Sequence, residues 1–225
     1  MGRYLLAPSI LTADFGRLRD EIAAVAGEVD WFHLDVMDGH YVDNLTFGPS
    51  VVAAVRAACD KPLHVHLMIT DPRRYARAFV DAGASRISFH PEVTDDPVDV
   101  MAEIAARGAG PGLAVHPDVG LDAVERYLGR IEVLLMMTVR PGFGGQGFMH
   151  EIVPKVRAAK DAIDAAGLDV DVEVDGGVKL GNVDSVVAAG ADIVVSGSGI
   201  YDGVDPPAAA RRLRARLDVL AAATT

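Results

Sequence analysis

Apolar and polar positions follow one another in short bursts along this chain, and the bursts recur at a spacing that predicts alternating strands and helices. Apolar runs bounded by turn residues fall at Tyr4–Ala7, Trp31–Val36, Leu63–Leu67, Arg86–Phe89, Gly112–Val115, Val133–Val139, Val170–Val174 and Ile193–Ser196, predicting eight β-strands. Between them, apolar residues return every three or four positions, as in Phe15, Leu18, Ile22 and Val25, or Ile152, Val156, Ala159 and Ile163. That period predicts helices with one apolar face. Asp71 before Pro72, Asp96 before Pro97 and Asn182 before Val183 are the expected N-caps. Gly27, Gly83, Gly108, Gly167 and Gly190 are the expected left-handed C-caps. Eight such units in 225 residues fit an α/β fold, a (β/α)8 TIM barrel forming a single domain over residues 1–225, near the short end of the usual length. The rival is a doubly wound open sheet, which would gather its ligand residues at one switch point. Here polar residues stand at the ends of most strands, which favours the barrel.

Strand side chains alternate between faces, so His33 and Asp35 share one face, as do His64, His66 and Met68, and Asp171, Glu173 and Asp175. In a barrel, His33, Asp35, His66 and Asp175 would converge at the C-terminal mouth. Two imidazoles and two carboxylates suit one divalent transition metal; zinc fits the nitrogen and oxygen mixture best, and iron, manganese or cobalt are accepted by the same donors. Any one of these residues alone could be a satisfied core histidine or a loop-capping aspartate. Four together read as a metal site, because four unpaired buried ionisable groups would be costly. His64 reads as core, and His90 and His116 as structural or supporting residues at strand ends.

Three glycine-rich loops form a second group: Pro141-Gly142-Phe143-Gly144-Gly145-Gln146, Asp175-Gly176-Gly177 and Ser196-Gly197-Ser198-Gly199. Glycines allow backbone N–H groups to approach an anion, and a helix expected to start near Ser198 would point its positive end there. The expected phosphate-binding residues are Gly142, Phe143, Gly144, Gly145, Gly176, Gly177, Gly197 and Ser198, after strands six to eight, where this architecture binds phosphate. Of four lysines, Lys61, Lys155 and Lys160 lie away from the mouth and Lys179 reads as an exposed loop residue, which disfavours Schiff-base chemistry. The alternating arginines Arg211, Arg212, Arg214 and Arg216 read as the solvated face of the last helix.

Composition then removes whole classes of partner. Twenty-one Lys plus Arg against 32 Asp plus Glu give a net charge of -11. No nucleic acid and no membrane partner is expected from such a balance. The single cysteine, Cys59, cannot form an intramolecular disulfide, and the first ten residues lack a secretory signal. The expected location is cytoplasmic.

The chain resembles the ribulose-phosphate 3-epimerases. The likeness rests on His33-Leu34-Asp35-Val36-Met37-Asp38-Gly39-His40, Asn44-Leu45-Thr46-Phe47-Gly48-Pro49, His66-Leu67-Met68, Pro141 to Gln146, and Asp175-Gly176-Gly177-Val178. It runs from Ala7-Pro8-Ser9-Ile10-Leu11 to at least Tyr201. The resemblance implies a metal-dependent barrel that interconverts D-ribulose 5-phosphate and D-xylulose 5-phosphate through an enediolate, in the pentose phosphate pathway or the reductive pentose cycle. It implies Asp35 and Asp175 as catalytic acid and base, and His33, Asp35, His66 and Asp175 as metal ligands. Ser9, His66, Met37, Met68 and Met137 would contact the small-molecule ketose phosphate, and the protein would be a homo-oligomer. Two other readings remain open at this stage, a D-allulose 6-phosphate 3-epimerase and a non-catalytic sugar-phosphate-binding barrel. Arg140, Asp43 and Asp118-Val119 depart from the usual family pattern; Arg140 would either strengthen anion binding or face solvent.

Overall fold

The computed structural model describes residues 4–201 and 203–223. Eight parallel strands occur where the apolar bursts predict them: β1 (Leu5–Ala7), β2 (Phe32–Met37), β3 (Leu63–Met68), β4 (Arg86–Phe89), β5 (Gly110–Val115), β6 (Val133–Met137), β7 (Asp171–Asp175) and β8 (Ile193–Val195). They follow one another around the sheet from β2 to β8 and then to β1. The β1–β2 seam is joined by isolated contacts rather than a ladder. His33 N–H donates to Pro8 O (3.0 Å), Asp30 N–H donates to Leu6 O (2.9 Å), and Ser9 bridges His33. The result is a nearly closed (β/α)8 barrel.

The helices between strands are α1 (Leu18–Val25), α2 (Pro49–Ala58), α3 (Pro72–Asp81), α4 (Pro97–Ala106), α5 (Val153–Ala165), α6 (Val183–Ala188) and α7 (Pro206–Ala223). Between β5 and β6 the expected helix is replaced by 3-10 segments at Leu121–Ala123 and Glu125–Arg130. Their i to i+3 bonds, such as Val124 N–H on Leu121 O (2.9 Å) and Tyr127 N–H on Val124 O (2.8 Å), wind this connection more tightly than an α-helix. The caps follow expectation at Asp71, which accepts from Arg74 N–H, and at Asp96, which accepts from Asp99 N–H, both at 3.1 Å. Asn182 does not cap α6. Its Oδ1 accepts from Lys179 N–H (2.7 Å) and its Nδ2 donates to Gly177 O (3.0 Å), so it braces the loop after β7 instead. Gly83, Gly108, Gly167 and Gly190 take the left-handed conformation, whereas Gly27 does not.

The outward strand residues, such as Phe32, Leu34, Val65, Leu67, Val172 and Val174, are buried against the helices in one continuous apolar layer. Inside the barrel, small apolar groups from Ala114, Leu135, Met137 and Val139 occupy one side and Ala7, Ile193 and Val195 another. Most of the other inward positions near the mouth are polar, among them His33, Asp35, His64, His66, Ser88, Glu173 and Asp175. Arg214 corrects the expected solvated face of α7: it is buried, donating to Asp30 Oδ2, Tyr4 O and Asp218 Oδ1, each at 2.9 Å. Asp30 also accepts from Leu6 N–H (2.9 Å). Arg214 therefore clamps the β1–β2 seam, where ladder bonds are sparse, through a charge-assisted fork. Arg211 and Arg212 are exposed as expected, and Arg216 pairs with Asp184. No helix among the described residues is long and apolar enough to cross a membrane.

Candidate active site

Strand register builds the site. Because β2 and β3 pair Asp35 with His66 and Met37 with Met68, and β6 and β7 pair Met137 with Asp175, the inward polar residues meet at one level of the mouth. His33 Nε2 lies 3.2 Å from Asp35 Oδ1 and 3.9 Å from Asp175 Oδ2, and His66 Nδ1 lies 3.1 Å from Asp35 Oδ1. One donor atom from each of the four residues falls within 4.8 Å of the others. Zinc bonds of 2.0–2.1 Å at tetrahedral angles would set neighbouring donor atoms about 3.3 Å apart, so the cluster has nearly the dimensions that one such ion requires. The His/Asp cluster could hold a divalent metal ion.

Charge balance gives the same answer. Burial alone would push His33 down, but the Asp35 and Glu173 carboxylates outweigh it and hold the imidazole well above its ordinary value. Burial and the neighbouring Asp35 carboxylate push Asp175 well above the usual carboxylate range. For Asp35, burial acts upward but is outweighed by His33 and His66, which hold it well below that range. Burial brings His66 down to about 4, aided by His90 and His33 and opposed by Asp35. Without a cation, then, this buried group of carboxylates favours the protonated forms of His33 and Asp175. A dication would take the place of those protons.

Below this level lies Glu173, an inward carboxylate to which the strand pattern alone assigns no role. It is fully buried and accepts from His33 Nδ1–H (2.8 Å) and His64 Nδ1–H (2.6 Å). His64 Nε2 accepts from Ser88 Oγ–H (2.7 Å), so His64 is indeed core, though as part of a polar network. By fixing hydrogen on His33 Nδ1, Glu173 leaves Nε2 facing Asp35 and Asp175, the usual carboxylate support of a ligating histidine.

Ser9 does two things at once. Its Oγ–H donates to Asp35 Oδ2 (2.6 Å), and the same oxygen accepts from Leu11 N–H (3.3 Å) at the start of a short 3-10 turn. Met37, Met68 and Met137 are buried at the strand ends and line one pocket with Ser9, Asp35 and Asp175. That pocket is also lined by Gly142, Phe143, Gly144, Gly145, Gly176, Gly177, Gly197 and Ser198. His33 and His66 are wholly buried behind its wall.

The loop after β6 is pinned from several sides. Gln146 Nε2 donates to Arg140 O (2.7 Å) and Phe143 O (2.8 Å), and Asn44 Nδ2 donates to Gly142 O (2.6 Å). The helix expected near Ser198 is a single turn, closed by Ile200 and Tyr201 N–H on Gly197 O, both at 2.9 Å. α7 starts only at Pro206, so no long helix begins at Gly197 and Ser198, which line the pocket. Arg140 is tied to Asp118 through Nε (3.2 Å) and Nη2 (3.0 Å). Arg140 and Asp118 thus pair with each other across the β5 and β6 loops. Lys179 is exposed. His116 accepts from Asp118 N–H through Nδ1 (3.1 Å) and so serves its own loop.

The chain's likeness to known proteins agrees with this geometry. A family model described as the ribulose-phosphate 3 epimerase family matches residues 5–201. The chain is 47% identical over 213 residues to the ribulose-phosphate 3-epimerase of Mycobacterium tuberculosis, covering 95% of this chain and 93% of that protein. It is 44% identical over 207 residues to the Escherichia coli enzyme of the same name, covering 91% and 92%. Among solved structures, KGPDC from Streptococcus mutans is similar with a TM-score of 0.73 at 17% identity, over 96% of this chain and 98% of that one. The 3-hexulose-6-phosphate synthase of Salmonella typhimurium gives 0.71 at 17% identity, over 95% and 98%. Those two likenesses concern the barrel fold alone.

Proposed function

The chain belongs to the ribulose-phosphate 3-epimerase family, and from that premise we propose that Asp35 and Asp175 are the two groups that move the carbon-3 proton. The protein is an isomerase that interconverts D-ribulose 5-phosphate and D-xylulose 5-phosphate. Inversion at a carbon next to a ketone requires one group to remove the proton and another to return one from the opposite face. The observation that carries the assignment is geometric: Asp35 on β2 and Asp175 on β7 come from different strands and line one pocket. Such a pair can serve as base and acid in one direction and exchange roles in the other.

Ser9 orients Asp35 by donating to the oxygen turned away from the histidines. The three methionines exclude water from the reacting carbons, so that an enediolate is surrounded by polarizable sulfur rather than solvent. Phosphate would sit among the amides of the loops after β6, β7 and β8. His33 Nε2, Asp35, His66 Nδ1 and Asp175 would hold one divalent ion, zinc by the donor chemistry. When bound, such an ion supplies Lewis-acid polarisation of the substrate's oxygens. The setting we infer is a cytoplasmic homo-oligomer.

Chain length of the sugar is the point to test first. With the phosphate loops at a fixed distance from Asp35 and Asp175, kcat/KM should favour D-ribulose 5-phosphate over D-allulose 6-phosphate by at least about tenfold, the cost of one misplaced carbon unit. A preference for the six-carbon sugar would overturn this assignment. The loop geometry can be tested separately at Gly177, whose φ is +69°. A Cβ there would meet Phe148 N at 2.7 Å and Gln146 O at 3.0 Å, both backbone atoms of the neighbouring loop. Gly177→Ala is expected to cost about 1–3 kcal/mol of stability through strain. It should also raise KM for the sugar phosphate about tenfold while kcat changes less. An unchanged KM would remove this loop from the phosphate site.

A further inference from the structure

Each metal-site histidine has a second nitrogen that must be accounted for. For His33 the partner is Glu173. For His66 it is a second histidine: His66 Nε2 lies 3.0 Å from Nε2 of His90, which directly follows β4 and is fully buried. Two imidazole nitrogens at that distance share one hydrogen, and its position decides what the other end of each ring can do. If it sits on His66 Nε2, then His66 Nδ1 offers a lone pair toward Asp35 and His33, and His90 carries its hydrogen on Nδ1. If it sits on His90 Nε2, then His66 carries hydrogen on Nδ1, donates it to Asp35 Oδ1 at 3.1 Å, and has no lone pair for an ion.

The surroundings of His90 favour the first arrangement. Its Nδ1 is buried and faces Glu92 Oε1 at 3.4 Å, with no shorter hydrogen-bond partner among the described residues. A lone pair on that nitrogen would be buried against a carboxylate; a hydrogen there is attracted by it. Glu92 is in turn held by Tyr41, whose OH donates to Oε1 (2.7 Å) and whose ring packs over His90 with centroids 4.8 Å apart. Tyr41 belongs to the loop after β2 and is anchored by Asp38, which accepts from Tyr41 N–H (2.9 Å) and from Thr70 N–H (2.8 Å).

We propose that His90 and Glu92 are positioning residues that hold His66 in the tautomer with a free Nδ1, and that Tyr41 seats this relay from the loop after β2. The relay rests on the assignment of His66 as a metal ligand. It works against Asp35, which in the metal-free protein would draw the hydrogen to His66 Nδ1. Glu92 thereby prepares the site for a cation before the cation arrives.

The test compares wild type with Glu92→Leu, which removes the acceptor, and Glu92→Gln, which keeps an acceptor but can also donate. Zinc affinity is measured by chelator competition, and histidine tautomers by 15N-detected NMR of the metal-free protein. The relay predicts zinc binding weakened about 10–100-fold in Glu92→Leu and less in Glu92→Gln. It also predicts His66 shifting from hydrogen on Nε2 toward hydrogen on Nδ1. Glu92 is partly exposed, and should Glu92→Leu fail to fold, Glu92→Gln gives both readings. Affinity within twofold of wild type together with an unshifted His66 would overturn the relay. Wild type taking up no zinc would instead overturn the metal assignment, and the relay's role with it.

Discussion

Asp175→Asn is expected to lower kcat for epimerisation by about 10³–10⁴-fold with little change in KM, the loss typical of removing a general acid or base. Asparagine keeps the shape of the side chain but neither takes nor gives the proton. Asp35→Asn should do at least as much damage, because its amide NH2 must replace either the oxygen that faces His33 and His66 or the one that accepts from Ser9. The two substitutions should not multiply in the double variant, since the aspartates serve the two proton transfers of one reaction and losing either already blocks it. Steady-state kinetics on metal-loaded protein, with zinc content measured for each variant, separates lost chemistry from lost metal. An Asp175→Asn variant that binds zinc and turns over within tenfold of wild type would place the proton donor elsewhere.

The second large effect concerns the cation. Stripping metal with a chelator is expected to abolish epimerisation and zinc addition to restore it, with protons released as zinc binds. The sign follows from the site's charges. His33 and Asp175 are both held above their ordinary values in the metal-free cluster, which favours their protonated forms, and those protons must leave before their donor atoms can ligate. Zinc affinity should therefore rise with pH across the neutral range, and zinc added to weakly buffered metal-free protein should acidify the solution. A pH indicator in that titration reads the release directly. Uptake of zinc with no proton release, or full activity at negligible metal content, would contradict this account of the cluster.

Much of this could be read from the sequence because a barrel writes its two faces into alternate residues. Phe32, Leu34 and Val36 announce a helix-packed surface while His33 and Asp35 announce an interior one, and the same holds in β3 and β7. The four residues that could hold a metal ion were visible for that reason and the glycine loops by their composition; the structure brings the four together, and Asp35, Asp175 and those loops line one pocket. What alternation does not encode is which inward residue meets which across the barrel. Glu173 looks like any inward carboxylate until register sets it between His33 and His64, and His90 has no visible partner until β4 lies beside β3. Arg214 misleads for a related reason. Its charge marks a solvated helix face, yet α7 packs across the β1–β2 seam, where Asp30 and Tyr4 O supply buried partners. Asn182 has the residue type of a cap, but the tight turn after Gly177 claims its side chain first. Local chemistry names candidates, and long-range register decides among their partners.

The central claim, that Asp35 and Asp175 exchange the carbon-3 proton on opposite faces of a ketose phosphate, is tested most directly by NMR of D-ribulose 5-phosphate in deuterated water with zinc-loaded protein. The account predicts D-xylulose 5-phosphate carrying deuterium at carbon 3 in wild type, and its formation slowed about 10³–10⁴-fold with Asp175→Asn. Product formed without deuterium at carbon 3, or formed at the wild-type rate by Asp175→Asn, would contradict it.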